Sequence, residues 1–196
     1  MITSLDQLDL NETYSYADYL KWKFEERVEL IKGKIFKMSP APARKHQRIS
    51  SLFHGELYRF LDNKTCQIYA APFDVRLTPR KNDNTNKIHT VVQPDICIIC
   101  DVAKLDDKGC IGAPDWIIEI LSPGNSQTEM KNKFEVYEEN GVQEYWLADP
   151  TNEIIFVYIL NEYGKYIGLH PFTLEDVIPS YVFPEFSLNV ADIFKD

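Results

Sequence analysis

One acidic residue interrupts an otherwise apolar segment. Residues 115–123 read DWIIEILSP, and their large apolar side chains predict a strand that is buried on both faces. Glu119 lies in the middle, on the same face as Ile117 and Leu121, because alternate side chains of a strand point the same way. An isolated buried carboxylate costs several kcal/mol unless it is paired, protonated or bound to a metal. Glu119 therefore indicates a salt bridge or, if a second acid lies nearby, a metal site.

Two Pro-Asp pairs, Pro94-Asp95 and Pro114-Asp115, offer that second acid. Asp115 is four residues from Glu119, or about 13 Å along a strand, which is too far for one shared ion. We expect Asp115 to begin the strand instead. Asp95 belongs to another predicted strand, and neighbouring strands lie about 4.8 Å apart. If the two strands pair, Asp95 and Glu119 can face one cation.

A lysine on the following predicted helix adds a positive charge. Met130, Phe134 and Tyr137 form the apolar stripe of that helix. At about 100° per residue, Lys133 falls inside the arc that faces the core, whereas Lys131 falls outside it. A lysine in that arc needs an acid or an anion as a partner, unless its ammonium extends past the helix edge to solvent. Spacing alone leaves both interpretations of Lys133 open.

Periodicity and turn residues predict the elements that position these side chains. A hairpin at 27–40 turns at Lys32-Gly33, and a helix opens with a Ser126–Glu129 capping box and closes at Gly141. Residues 101–114 are predicted as a loop. Further helices are predicted at 15–26 and 43–63, strands at 66–77, 91–100, 116–121, 143–150, 153–160 and within 163–172, and a packed apolar tail at 184–194. The expected fold class is α/β, as an α+β mixed sheet flanked by helices.

The composition is that of an ordinary globular protein. The chain has 196 residues, of which 44% are hydrophobic and 26% charged, so we expect one domain over residues 1–196. No apolar run approaches the ~20 residues that span a bilayer. The N-terminal segment MITSLDQLDLNETYSY has acids and no basic or apolar leader pattern, so we expect no secretory signal and a soluble, cytoplasmic protein.

The four cysteines are expected to form no disulfides, and Cys97 and Cys100 are expected to be core residues. The four are Cys66, Cys97, Cys100 and Cys110, and a domain of this size without signs of export does not need disulfides. Cys97 and Cys100 form a C-x-x-C, which is a pattern found in zinc and redox sites. The residues between them are both isoleucine, and residues three apart on a strand point to opposite faces. We therefore expect no zinc site here.

The net charge of −9 argues against a generic nucleic-acid binder, but the charge is unevenly distributed. Residues 30–55 contain no acid, and they contain the basic residues Lys32, Lys34, Lys37, Arg44, Lys45 and Arg48. This stretch is either a solvated hairpin and helix start or a surface that faces phosphate groups.

Several segments together resemble the PD-(D/E)XK nuclease superfamily, and within it a large bacterial group called "putative restriction endonucleases". They are VELIKGKIFKMSPAP, His46 at a helix start, QPDI, PDWIIEILSPGNS, Lys133 four residues before Tyr137, and GVQEYWLADP. A strict E-x-K motif would place lysine at position 121, where this chain has Leu121. The bacterial group places that lysine on the following helix, which agrees with Lys133.

The resemblance implies a restriction-endonuclease-like fold and hydrolysis of DNA phosphodiester bonds with Mg²⁺ or Mn²⁺ as cofactor. It implies that Asp95 and Glu119 hold the metal, that Lys133 is catalytic, and that Glu29 is a further acid of the site, although Glu29 could equally be a surface residue of the hairpin. The implied DNA-facing residues are His46, Arg44, Lys45, Arg48 and Lys34. Because both strands of a duplex are cut, a homodimer is expected. The alternatives are a non-catalytic module that binds DNA or a partner, and a nuclease for RNA or structured DNA.

Overall fold

The computed structural model describes residues 2–38, 43–78, 84–122 and 127–195. Within these ranges the helices are α1 (Tyr16–Tyr19), α2 (Arg44–Leu61), α3 (Gln127–Asn140) and α4 (Val190–Phe194), with short 3-10 turns at Leu5–Gln7, Thr85–Lys87 and Val102–Lys104. The strands are β1 (Val28–Ile31), β2 (Lys34–Lys37), β3 (Gln67–Ala70), β4 (Val75–Leu77), β5 (Thr90–Val92), β6 (Ile96–Ile99), β7 (Leu105–Asp106), β8 (Gly109–Ile111), β9 (Trp116–Ile120), β10 (Glu144–Asp149), β11 (Ile154–Leu160), β12 (Tyr166–Gly168), β13 (Val177–Pro179) and β14 (Ser187–Asn189).

The strands form two six-stranded mixed sheets and a two-stranded ribbon. The first sheet has the order β2-β1-β5-β4-β8-β7, the second has the order β12-β11-β10-β9-β6-β3, and β13 pairs with β14. The second sheet lies between two cores. On one face its tryptophans pack against α2 and α4. On the other face its side chains pack against α3 and the first sheet. The predicted mixed sheet flanked by helices is confirmed, with its strands divided between two sheets.

The centre of the second sheet contains the opening segment of the sequence. β9 and β10 run parallel and are connected through α3, while β6 runs antiparallel to β9 with Ile96 opposite Ile118. Every residue of β9 is buried. The strands that carry Asp95 and Glu119 therefore do pair, which is the condition for the two acids to face one cation. Asp115 precedes β9 as expected, and its carboxylate accepts the backbone N–H of Cys100 at 2.7 Å.

Most predicted elements with strong local signals are found. The hairpin β1–β2 turns at Lys32 and Gly33, both at positive φ, and Gly141 ends α3 at φ 86°. Helix α2, strands β10, β11 and β12, and the buried tail around α4 also agree with prediction. The Ser126 half of the predicted capping box lies outside the described residues.

Two predicted strands are each divided between the two sheets. Residues 66–77 form β3 in the second sheet and β4 in the first, with a cis Ala71–Pro72 peptide between them. Residues 91–100 form β5 in the first sheet and β6 in the second. Pro94 lies at the second break, and because proline has no N–H it does not continue a strand ladder. The residues between β5 and β6 therefore leave the first sheet and place Asp95 at the start of β6.

The predicted helix at 15–26 and the predicted loop at 101–114 were wrong. Only Tyr16–Tyr19 is helical, because Trp22 forms a bridge with Ile2 and Lys23 donates its backbone N–H to the Ile2 carbonyl at 2.8 Å. The supposed loop contains the hairpin β7–β8, which adds two strands to the first sheet.

The prediction that all four cysteines are unpaired was also wrong. Cys66 and Cys100 form a disulfide. The antiparallel pairing of β3 with β6 places Gln67 opposite Ile99, so Cys66, just before Gln67, lies opposite Cys100, just after Ile99. Cys97 and Cys110 are free and buried. In the described ranges no group of three or more His, Cys, Asp or Glu side chains is arranged to hold a metal ion.

The helices can be compared with the length and hydropathy that a membrane-spanning helix requires. Across the part of the chain that the structure describes, none of them is both long enough and apolar enough to traverse a bilayer.

Candidate active site

Glu119 is the centre of a buried polar cluster between the second sheet and α3. It points away from the tryptophan core, and Lys133 and Tyr137 of α3 face it one helical turn apart. Lys133 Nζ lies 3.0 Å from Glu119 Oε1, and the Tyr137 hydroxyl donates a hydrogen bond to the same oxygen at 2.6 Å. Lys131 is exposed on the outer side of α3. The helical arc that placed Lys133 inward is therefore confirmed.

A second carboxylate reaches Lys133 from the first sheet. Glu29 of β1 is only 1% exposed, and its Oε1 lies 3.1 Å from Lys133 Nζ. The backbone N–H of Gln93 donates to the same Glu29 oxygen at 2.8 Å. The alternative that Glu29 is a surface residue of the hairpin is thereby excluded. The ammonium of Lys133 lies between two buried carboxylates that come from different sheets.

Asp95 and His46 form the adjoining part of the cluster. Asp95 Oδ2 accepts the backbone N–H of Ile120 at 2.8 Å and lies 3.3 Å from His46 Nε2. The same His46 nitrogen is 3.1 Å from the Ile120 carbonyl oxygen. His46 is in the first turn of α2, so this helix end is joined to the end of β9. The other ring nitrogen, Nδ1, is buried and has no hydrogen-bond partner among the described residues.

The proximity of these groups changes their protonation. Burial raises the pKa of Glu119 to about 7; Lys133 opposes this rise, and the carboxylates of Asp95 and Glu29 add to it. Burial lowers the pKa of Lys133, but Glu119 and Glu29 outweigh burial and hold that pKa well above its usual value. Burial likewise lowers the pKa of His46, and the hydrogen bond and charge of Asp95 raise it to a net value above the usual one. Lys133 is therefore a cation at neutral pH, and Glu119 binds a proton at a higher pH than an ordinary glutamate does.

A small cavity opens beside the cluster. Its volume is about 20 Å³, and its lining includes Glu119, Lys133 and Glu129 from the first turn of α3. This is enough space for one water molecule or one ion. Glu119 Oε2 and Asp95 Oδ1 accept no hydrogen bond from any described residue, so each carboxylate keeps a free oxygen. Two carboxylates and the Ile120 carbonyl are hard oxygen donors, which suit a small divalent cation that keeps several waters.

The basic residues of the 30–55 stretch are less closely grouped. Lys34 donates to the backbone carbonyls of residues 11 and 12, at 3.0 Å for the Glu12 carbonyl. Lys45 donates to the Pro150 carbonyl at 2.6 Å and pairs with Glu153 at 3.2 Å. Arg48 donates to the Lys195 carbonyl at 3.1 Å. Arg44 begins α2 and is exposed. Of the predicted DNA-facing residues, only His46 joins the buried cluster, and it does so by contacts with Asp95 and Ile120.

Sequence reasoning missed four contributions to this site. Tyr137 fits the apolar stripe of its helix and gives no sign of a hydrogen-bonding role, except that its spacing of four from Lys133 places both side chains on the face toward Glu119. Glu129 precedes Lys133 by one turn and lines the same cavity. The backbone groups of Gln93 and Ile120 had no signal in the sequence, since a backbone donor does not depend on residue type.

Two known proteins are similar to this chain over most of its length. The chain is 25% identical over 159 residues to the uncharacterized protein slr1290 of Synechocystis sp., which is 80% of this chain and 79% of that protein. It also resembles the crystal structure of a protein from Anabaena variabilis ATCC 29413 described as "a putative nuclease belonging to DUF820". The TM-score is 0.72 at 24% sequence identity, over 92% of this chain and 97% of that chain. The fold is therefore restriction-endonuclease-like.

The family comparison covers most of the molecule and all of the buried cluster. The model of the family Uma2, described as "Putative restriction endonuclease", matches residues 16–191. This range includes Glu29, Asp95, Glu119 and Lys133, which come from different sheets and from α3. The chain belongs to the Uma2 family of putative restriction endonucleases.

Proposed function

We propose that this protein is a Mg²⁺- or Mn²⁺-dependent endonuclease that hydrolyses phosphodiester bonds of DNA, with Asp95, Glu119, Lys133 and Glu29 as its catalytic group. The observation that carries the proposal is the buried Lys133 ammonium between Glu29 and Glu119, beside a cavity of about 20 Å³. A structural ion pair needs one carboxylate for one lysine. Here both Glu29 and Glu119 contact Lys133, and the carboxylate of Asp95 lies close enough to Glu119 to raise its pKa. One oxygen each of Glu119 and Asp95 accepts no hydrogen bond from the described residues, and this excess of carboxylate favours a cation site.

Asp95 and Glu119 are the proposed metal-holding residues. A divalent cation, when bound, supplies positive charge to the phosphate and lowers the pKa of a bound water. Asp95 is fixed by the Ile120 N–H, and Glu119 is fixed through one oxygen by Lys133 and Tyr137. Each residue thus has one oxygen held in place, while the other accepts no hydrogen bond from the described part of the chain. Such fixed carboxylates need little rearrangement when a ligand arrives.

Lys133 is proposed to stabilise charge on the phosphate rather than to act as a base. Glu29 and Glu119 hold its pKa well above the usual value, so it keeps its proton. A fixed ammonium in a site with little water stabilises negative charge that develops on phosphate oxygens. Glu29 acts as the residue that positions Lys133, because it contacts the ammonium and is itself held by the Gln93 N–H.

DNA is the proposed partner, through His46, Arg44, Lys45, Arg48 and Lys34. Arg44 is exposed at the start of α2, and the first turn of this helix contains no acid. Lys45, Arg48 and Lys34 already bind carbonyl groups or an acid, so they would have to exchange those partners for phosphate. A homodimer would supply one active site for each strand of a duplex.

The test is cleavage of supercoiled plasmid DNA with Mg²⁺ or Mn²⁺, alongside calorimetric titration of the protein with Mn²⁺ alone. We expect wild-type cleavage that stops in a chelator. Removing a residue that contacts a metal ligand, but not the metal itself, costs about 10–100-fold in activity or metal affinity. Glu119 is proposed to hold the metal directly, so Glu119→Gln should lose more than about 100-fold in cleavage activity. Glu162→Gln, an exposed change in the turn between β11 and β12, is the matched control.

Two results would contradict the proposal. Equal cleavage by wild type and Glu119→Gln would remove Glu119 from the catalytic group. A salt-sensitive DNA gel shift without cleavage under either metal, together with no Mn²⁺ binding, would favour a non-catalytic DNA-binding module.

A further inference from the structure

The Cys66–Cys100 disulfide is at the edge of the second sheet. Cys66 directly precedes β3, which among the described strands is at the edge of its sheet and pairs with β6 alone, and Cys100 directly follows β6. Both cysteines are half-buried. The disulfide therefore joins an edge strand to its single neighbour. It is far along the sheet from Asp95, which lies at the opposite end of β6.

A cavity of about 300 Å³ opens against this disulfide. Its lining includes Tyr58, Asp62, Asn63, Cys66, Gln67 and Tyr69. Cys66, and not Cys100, is among the residues that line it. This volume is at the lower end of the range for small-molecule sites in proteins. A small molecule in the cavity would therefore lie beside Cys66 rather than beside Cys100.

The cavity lining offers one negative charge and several hydrogen-bonding groups. Asp62 follows the end of α2 and is exposed, and Asn63 and Gln67 contribute amides. Tyr58 is 63% exposed at the rim. Nearby Lys64 is paired with Glu185 at 2.9 Å and does not line the cavity. A carboxylate and two amides are complementary to an ammonium group and to peptide bonds.

The remaining cysteines are unsuited to reaction with a small thiol or disulfide. Cys97 is 1% exposed, Cys110 is fully buried, and burial raises the pKa of both thiols. Reaction requires access to the sulfur and thiolate character. Within the described residues, reactivity toward small thiols is therefore confined to the Cys66–Cys100 disulfide.

We propose that the cavity binds a low-molecular-weight, peptide-like thiol, which then exchanges with the Cys66–Cys100 disulfide. The thiolate attacks Cys66 Sγ, the bond between the two cysteine sulfurs breaks, and Cys100 leaves as a thiolate that takes up a proton. A second molecule of the same thiol attacks the mixed disulfide. This releases Cys66 as a thiol and the small molecule as its own disulfide, so that two thiols are oxidised for one protein disulfide reduced. This site is independent of the proposed nuclease chemistry.

The experiment measures the rate at which the folded wild-type protein loses its disulfide in reduced glutathione, a peptide-like thiol. Released protein thiols are trapped with an alkylating agent and mapped by mass spectrometry. We expect the rate to saturate as glutathione concentration rises, because binding in the cavity precedes exchange. With 2-mercaptoethanol, which lacks the ammonium and the peptide bonds, we expect a linear dependence on concentration. The trapped mixed disulfide should be on Cys66.

Asp62→Asn tests the cavity itself. Because an exposed ion pair contributes little, the variant should raise the half-saturating glutathione concentration by about two- to fivefold. Asp107→Asn, an exposed change in the β7–β8 hairpin of the other sheet, should leave it unchanged. Three outcomes would overturn the proposal. They are a linear dependence for both thiols, a mixed disulfide on Cys100, and a disulfide that opens only when the protein unfolds.

Discussion

Glu119 and Glu144 are both buried glutamates on neighbouring parallel strands, and they differ in everything that surrounds them. Glu144 is opposite Trp116 at the start of β10, whereas Glu119 is opposite Leu147. Since strand side chains alternate, Glu144 points to the tryptophan face of the second sheet and Glu119 points to the face that packs on α3. The same residue type, buried in both cases, thus lies in two different environments.

Glu144 has a complete set of neutral donors. Its Oε1 accepts the Trp146 Nε1–H at 2.7 Å, and its Oε2 accepts Ser180 Oγ–H at 2.8 Å and the backbone N–H groups of Tyr181 and Val182, each at 2.9 Å. These bonds fasten the turn between β13 and β14 to the sheet. Burial raises the pKa of Glu144, and the four hydrogen bonds oppose the rise. A buried carboxylate with such partners is a structural residue.

Glu119 has fewer hydrogen-bond donors than Glu144, and one of them is charged. One oxygen is held by Lys133 and Tyr137, the other accepts nothing from the described residues, and two further carboxylates raise its pKa. Burial of a carboxylate therefore does not identify a functional site. Among the described residues, Glu119 is distinguished by an oxygen that accepts no hydrogen bond, by like charges nearby and by an adjacent cavity.

The largest expected effect comes from removing the cation that separates Glu29 and Glu119. Lys133→Met leaves two buried carboxylates unpaired, and breaking a buried pair costs about 3–5 kcal/mol. We expect the free energy of unfolding in urea at pH 7 to fall by that amount. Lys131→Met, an exposed change two residues away, should stay within about 0.5 kcal/mol of wild type. Equal losses in the two variants would mean that Lys133 is not held between the carboxylates.

The second-largest effect on stability is expected at Glu144, whose replacement should destabilise the protein more than replacement of Glu119. Glu144→Gln replaces one acceptor oxygen by an amide NH₂ that faces donors, and each buried donor left unsatisfied costs about 1–3 kcal/mol. We expect a loss of about 2–4 kcal/mol in urea denaturation. At pH 5, where burial and the nearby carboxylates keep folded Glu119 largely protonated, Glu119→Gln should change stability by less than about 1 kcal/mol, because the amide has the same shape as the protonated acid. A Glu119→Gln variant as unstable as Glu144→Gln would assign both residues to structure.

The elements that the sequence predicted well are those with local signals. The strand around Glu119, the inward arc of Lys133 and the Gly141 helix end each depend on residues within one or two turns of each other. The breaks at residues 71–74 and 93–95 were missed because the pattern of apolar residues does not indicate which sheet a strand joins. The Cys66–Cys100 pairing was missed for a related reason, since it depends on the register of β3 against β6.

The same distinction between local signals and long-range contacts applies to the candidate site. Glu119, Asp95 and Lys133 could be argued from burial, strand pairing and helical spacing. Glu29 and His46 came only with the family resemblance, because they reach the site from β1 and α2 through contacts that span 104 and 74 residues of sequence. The contrast with Glu144 could not be predicted at all. Its donors at residues 180–182 belong to a turn with no distinguishing pattern.

The pH dependence of the free energy of unfolding is the smallest expected effect, and it tests whether Glu119 has a raised pKa. Burial and the nearby carboxylates raise the pKa of Glu119 from 4.5 to about 7 against the influence of Lys133, so the folded protein binds this proton more tightly than the unfolded chain does. The resulting stability is complete below about pH 4.5 and is lost as the pH rises through about 7. Because Glu119→Gln cannot titrate there, its stability relative to wild type should increase across this range in urea titrations.

Added Mg²⁺ sharpens this comparison. A cation that binds the free oxygen of Glu119 favours the ionised carboxylate, so it should lower the pKa of Glu119 and flatten the wild-type dependence on pH. The same salt should leave the Glu119→Gln curve unchanged apart from general screening, for which NaCl of equal ionic strength is the control. Parallel wild-type and variant curves without metal would mean that Glu119 keeps an ordinary pKa, so that its hydrogen bonds and Lys133 fully offset its burial and the nearby carboxylates.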